Sequence, residues 1–143
     1  MMRAVRQLGG WPFAIAAALL SSGMVIAPDM FGRFEGRFFP VVTAASLTEI
    51  QPVGENASRI YGTFDKLREC DFDSIEWRVR SGNAYSVVAF EFEEASKARE
   101  PAPQEFGPWL IHLTPAQLKG NAFAVVYHRC GTRPWLTETH FYP

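Results

Sequence analysis

The chain has little of what usually announces a chemistry. It carries three histidines, two cysteines, and 14 Lys and Arg against 15 Asp and Glu. With no basic excess to neutralise a phosphate backbone, nucleic acid is not an expected partner. Cys70 and Cys130 form no CxxC pair, and the scattered histidines make no zinc spacing, so no metal or cofactor is expected. There is no GxSxG elbow, HExxH, P-loop or GxGxxG, and no catalytic residue is nominated. Internal repeats, low-complexity tracts and long amphipathic helical patterns are also missing. What is present is apolar: 48% hydrophobic and 14% aromatic residues in 143, enough for the core of one domain.

The first 27 residues set the compartment. Arg3 and Arg6 precede the 17-residue run Trp11–Ala27, which contains no charge. As a helix this run would span roughly 25 Å, near the short limit for a bilayer core of about 30 Å. A cleaved signal peptide would need small residues before the cut, and Val25-Ile26-Ala27 supplies them. Pro28 follows immediately and disfavours cleavage, so residues 1–27 read as an uncleaved transmembrane signal-anchor. The basic end then stays in the cytoplasm and the remainder is periplasmic or extracellular. That remainder carries 14 − 2 = 12 basic and 15 acidic residues, a net charge of −3.

Residues 28–45 read as a juxtamembrane linker. Glycines, prolines and alternating charge argue against a long helix, and Phe31, Phe34, Phe38 and Phe39 suit either a membrane interface or the underside of the folded domain. From Ser46 the pattern becomes two-residue alternation. Seven strands are expected: 46–53, 59–65, 72–80, 85–93, 108–113, 122–130 and 135–142. Inward positions include Ile60, Gly62 and Phe64; Ile75, Trp77 and Val79; Val88, Phe90 and Phe92; and Trp109, Ile111 and Leu113. The polar, proline-containing stretch 95–107 reads as a mobile loop, and 114–120 as a corner. These features predict an all-β antiparallel sandwich over residues 46–143 behind one N-terminal transmembrane helix.

With Trp77 on the third strand and Leu113-Thr114-Pro115 leading into Phe123-Ala124-Val125-Val126-Tyr127, the domain resembles an immunoglobulin-like or fibronectin type III-like sandwich. Such domains often bury a tryptophan on the third strand and tie a tyrosine hydroxyl to this corner; here Phe123 stands at that position. In a sandwich of that kind the third and sixth strands are antiparallel neighbours. The resemblance therefore implies a disulfide between Cys70 and Cys130, permitted by an oxidising compartment. The ending His128-Arg129-Cys130 … Trp135-Leu136-Thr137 … Phe141-Tyr142-Pro143 also resembles small anchored bacterial and phage proteins, which implies no activity.

His128 and His140 lie on successive strands. If residues 131–134 form the turn, His128 faces Thr137 and His140 faces Val125, on opposite sides of the sheet, which argues against a shared metal site. The expected role is a non-enzymatic protein-binding or assembly module, anchored through its N-terminal helix, with an extracytoplasmic protein as partner. Its candidate binding surface is Glu105 and Phe106 together with Arg133 and Trp135. The alternatives are an envelope hydrolase using His128 or His140 with a carboxylate, and a self-associating structural envelope protein.

Overall fold

The computed structural model describes residues 28–95 and 99–143. The expected transmembrane segment, residues 1–27, lies outside them. Among the described residues no helix is long and apolar enough to cross a membrane.

The architecture is all-β, with eight strands rather than seven. These are β1 (Ser46–Val53), β2 (Ala57–Asp65), β3 (Asp71–Ser81), β4 (Ala84–Val88), β5 (Phe90–Phe92), β6 (Pro103–Ile111), β7 (Ala122–Arg129) and β8 (Thr137–Tyr142). They form two antiparallel sheets, ordered β1-β2-β6-β5 and β4-β3-β7-β8. The extra strand comes from the stretch expected as 85–93, which changes sheet at Ala89. Val88 pairs with Trp77 in one sheet and Phe90 with Ile111 in the other. Alternation alone did not reveal the crossing, because both sheets face one core and Val88 and Phe90 stay inward across it; Phe92, expected inward, is instead 45% exposed.

The expected loop 95–107 is also corrected in part. Residues 103–107 belong to β6, pairing Asp65 with Pro103 and Gly62 with Phe106. Gly107-Pro108 suggested a strand start, since proline cannot donate to a ladder. The strand nevertheless continues, because the β2–β6 register shifts between Ile60 and Gly62 and an irregularity of this kind accommodates proline. Gly62, with no Cβ, lets the Phe106 ring lie against its backbone.

The core fills the space between the sheets. Trp77, Ile60 and Ile111 are fully buried, and Trp109, Leu113 and Phe141 nearly so. Phe106, Trp109 and Phe141 form one aromatic cluster with centroid separations of 4.3 to 5.9 Å. The corner between β6 and β7 is a short helix, α2 (Pro115–Gly120), opened by a capping box between Thr114 and Gln117. The Tyr142 hydroxyl donates to the Leu118 carbonyl at 3.1 Å, tying β8 to this corner. Phe123 points outward instead, against Tyr85 and Arg78.

The cysteines are joined. Cys70 and Cys130 form a disulfide with their Cα atoms 4.5 Å apart, next to the Asp71–Arg129 pair that begins the β3–β7 ladder. Closing a loop with a sequence separation of 60 contributes about 4 kcal/mol in the chain-entropy model.

Residues 28–45 do not form a linker free of structure. Residues 28–38 are helical (α1), and Val41, Val42 and Ala45 are buried in the core. The Thr43 amide donates to Asp65 and the Ala45 amide to Phe141, so the segment is stitched to both sheets. Gly32 and Gly36, one turn apart, face the carbonyls of Leu136 and Glu138 along the free edge of β8, where neither position has room for a Cβ. Each glycine costs a helix about 1 kcal/mol relative to alanine. Close approach to β8 offsets that cost and covers an edge otherwise open to strand pairing.

Gly36→Ala is expected to destabilise the protein by about 1–3 kcal/mol, whereas Gly120→Ala, which meets nothing within 4 Å, should be nearly neutral. Urea denaturation of the two variants checks this, and equal midpoints would contradict the close packing of α1 on β8.

Candidate functional site

Two constellations stand out. The first holds α1 to the domain. Glu35 is on the turn of α1 between Gly32 and Gly36, and its carboxylate is largely buried against the segment leading into β8. One oxygen accepts from Arg68 at 2.8 Å and from Arg133; the other accepts from Trp135 Nε1 at 2.9 Å and from Thr137 Oγ1 at 3.1 Å. Arg68 also donates to the Phe39 carbonyl at 2.7 Å, closing the end of the helix. Phe31 stacks on Trp135 with centroids 5.3 Å apart. Burial alone would raise the Glu35 pKa. The hydrogen bonds from Trp135, Arg68 and Thr137 and the charge of Arg133 outweigh it and hold the pKa at about 2.

The second constellation is a cleft of about 540 Å³ between the sheets, where β3 begins and β5 ends. Phe72 of β3 and Phe92 of β5 face each other across its mouth, with centroids 6.3 Å apart and roughly half of each side chain exposed. Trp109, Phe64 and Phe141 line it deeper in. Trp109 is oriented by its Nε1, which donates to Glu94 at 2.5 Å, and Glu94 also accepts from Arg99 at 2.9 Å. Lys66 reaches the Cys70 and Arg99 carbonyls at 2.9 and 2.5 Å. Among the described residues the charged lining comprises Lys66 and Arg99 against Glu69, Asp71, Glu94 and Glu100, so this part of the rim is net acidic.

His128 also lines the cleft. It is 3% exposed, and its Nδ1 is buried with no hydrogen-bond partner among the described residues. Burial, reinforced by Lys66 and Arg68 and opposed by Asp73, pushes its pKa down to about 4, so the imidazole is neutral at ordinary pH. His128 pairs with Thr137 and His140 with Val125, as the sequence register predicts. His128 points into the core and His140 to solvent. Among the described residues no hydrogen bond joins either histidine to a carboxylate, and no group of three or more His, Cys, Asp or Glu could hold a metal ion.

The expected binding surface does not assemble. Phe106 is 3% exposed and belongs to the core. Glu105 is exposed on β6, where its carbonyl accepts from Arg99. Arg133 and Trp135 lead into β8 of the other sheet and are engaged with Glu35. The alternation of β6 places Phe106 on the same face as Gln104 and opposite Glu105, a signal hidden by reading 95–107 as a loop. Sequence reasoning missed Glu35 because its four partners come from two distant loops and the start of β8. It missed the cleft because Phe72 and Phe92 meet only when the sheets stack.

No family model, curated protein or solved structure matches the chain.

Folding stability supplied by the Glu35 cluster is expected in full above pH 4.5 and to be lost as pH falls towards 2, because its folded pKa lies below the ordinary 4.5. At neutral pH Glu35→Gln should destabilise the protein by about 1–2 kcal/mol, since solvent screening reduces what the charge-assisted hydrogen bonds contribute. It should also flatten the stability curve between pH 4.5 and 2, and denaturation across that range is the check. A variant as stable and as acid-sensitive as the parent would contradict the cluster's role.

Proposed function

We propose that the chain is a membrane-anchored, extracytoplasmic protein-binding module without enzymatic activity, and that its domain is an immunoglobulin-like sandwich. The strand order supports the fold assignment. If β1 to β8 are taken as strands A, B, C, C′, D, E, F and G, the sheets read A-B-E-D and C′-C-F-G, the arrangement of that architecture. Trp77, fully buried on β3, occupies the place of the third-strand tryptophan. The Cys70–Cys130 bond differs from the usual pairing of the second and sixth strands, since it links neighbouring strands of one sheet.

The disulfide and the uncharged run Trp11–Ala27 support export and anchoring. The observation that carries a binding role is the aromatic cleft. Phe72 and Phe92 leave large apolar surface in water at its mouth, and its volume suits one large side chain of a partner. A net acidic rim favours an aromatic residue flanked by lysine or arginine. The neutral His128 gives the deep end a hydrogen-bonding group with no partner among the described residues.

A titration of the isotope-labelled full-length protein in nanodiscs tests this, with N-acetyl-tryptophanamide as the probe. Shifts are expected at Phe72, Phe92, the Trp109 indole and the His128 ring, and Phe72→Ala with Phe92→Ala should weaken them several-fold. Saturating probe with no shift at those four residues would overturn the proposal.

A further inference from the structure

The N-terminal helix presents an apolar stripe that the domain leaves more than half exposed, even where Phe31 stacks on Trp135. Phe31, Phe34 and Phe38 follow i, i+3, i+7 spacing and lie along one side of α1. They are 54%, 61% and 58% exposed, Met30 is 65% exposed, and Phe39, just past the helix, is 64% exposed. Phe34 and Phe38 touch, with centroids 4.6 Å apart, so the patch is continuous. It cannot turn inward, because Gly32 and Gly36 fix the other side of the helix against β8 and Glu35 locks the rotation. Large apolar patches on a folded surface mark an interaction site.

We infer that this stripe lies in the headgroup region of the bilayer, making α1 a second membrane contact that holds the domain at one orientation to the lipid surface. The inference rests on the reading of residues 1–27 as an anchor. Met30 is three residues beyond Ala27, the end of the uncharged run, at most about 10 Å of extended chain. A face tethered that closely to the hydrocarbon is within reach of lipid headgroups whenever the chain is anchored. The composition fits an interfacial helix: phenylalanines on one side and, on another, exposed Arg37, whose stem reaches lipid phosphates, with Arg33 exposed but paired to Glu138 at 3.2 Å. The tight dock on β8 turns this contact into a constraint on the whole sandwich, which a flexible tether would not provide.

Because Cys70 and Cys130 are joined, an introduced cysteine is the single free thiol among the described residues. Phe34→Cys, Phe38→Cys and, as a reference on the β3–β4 turn, Asn83→Cys are labelled with a nitroxide. The full-length variants are reconstituted into phosphatidylcholine–phosphatidylglycerol vesicles, and power saturation compares collision with oxygen and with a water-soluble nickel chelate. Labels at 34 and 38 are expected to be several-fold less accessible to nickel and more accessible to oxygen than the label at 83. If the protein floats with the vesicles and resists carbonate extraction while 34 and 38 are as open to nickel as 83, the inference fails and the anchor stands. Protection from both reagents with dipolar broadening between labels would place a second copy on the stripe and overturn the inference. A protein that does not float with the vesicles overturns the anchor and the inference together. Both phenylalanines lie outside the core, so near-ultraviolet circular dichroism of the variants should match the parent's.

Discussion

The docking of α1 on the sandwich depends on one carboxylate. Glu35 takes four donors, Arg68 from the loop between β2 and β3, Arg133 and Trp135 from the loop between β7 and β8, and Thr137 from the start of β8. A buried carboxylate without partners would protonate or expel its helix. With four donors it stays charged and draws together segments that share no hydrogen-bonded ladder. The two glycines make the approach sterically feasible, and the ion cluster gives it direction. Without that cluster, α1 would be a short helix with an exposed apolar stripe, too short to be stable alone in water.

The sandwich is stiff where α1 docks and open on the side of the cleft. The Cys70–Cys130 bond pins the beginning of β3 to the end of β7 beside the cleft. Strand β5 is only three residues long and pairs only with β6, so the Phe92 side of the mouth rests on the lightest element of the fold. The wall carrying Phe72 and His128 thus faces a shorter strand carrying Phe92.

Much of the sheet structure was legible in the sequence. The β3 alternation of Ile75, Trp77 and Val79 reports a sheet with one buried face, and counting across the turn before β8 gives the His128–Thr137 register. The disulfide followed from the neighbour relation of two strands. What was not legible depends on distance in sequence. Residues 28–38 look like a broken tether, because the two glycines that weaken the helix in isolation are what allow it to dock. The Ala89 crossing is silent because both sheets share one interior. The misplacement of Phe106 on a surface came from the same source as the missed strand: Gly107-Pro108 reads locally as an end, and only the shifted β2 partner shows that it is not.

The central claim is that Glu35 makes α1 part of the domain. The most direct measurement is amide hydrogen exchange of the full-length protein in nanodiscs, comparing the parent with Glu35→Gln. The amides of residues 33–38 are expected to be protected in the parent and to lose protection by about tenfold or more in the variant, roughly 1.4 kcal/mol or greater, while β3 and β7 keep theirs. Fast exchange in the parent, or protection unchanged by the substitution, would contradict it.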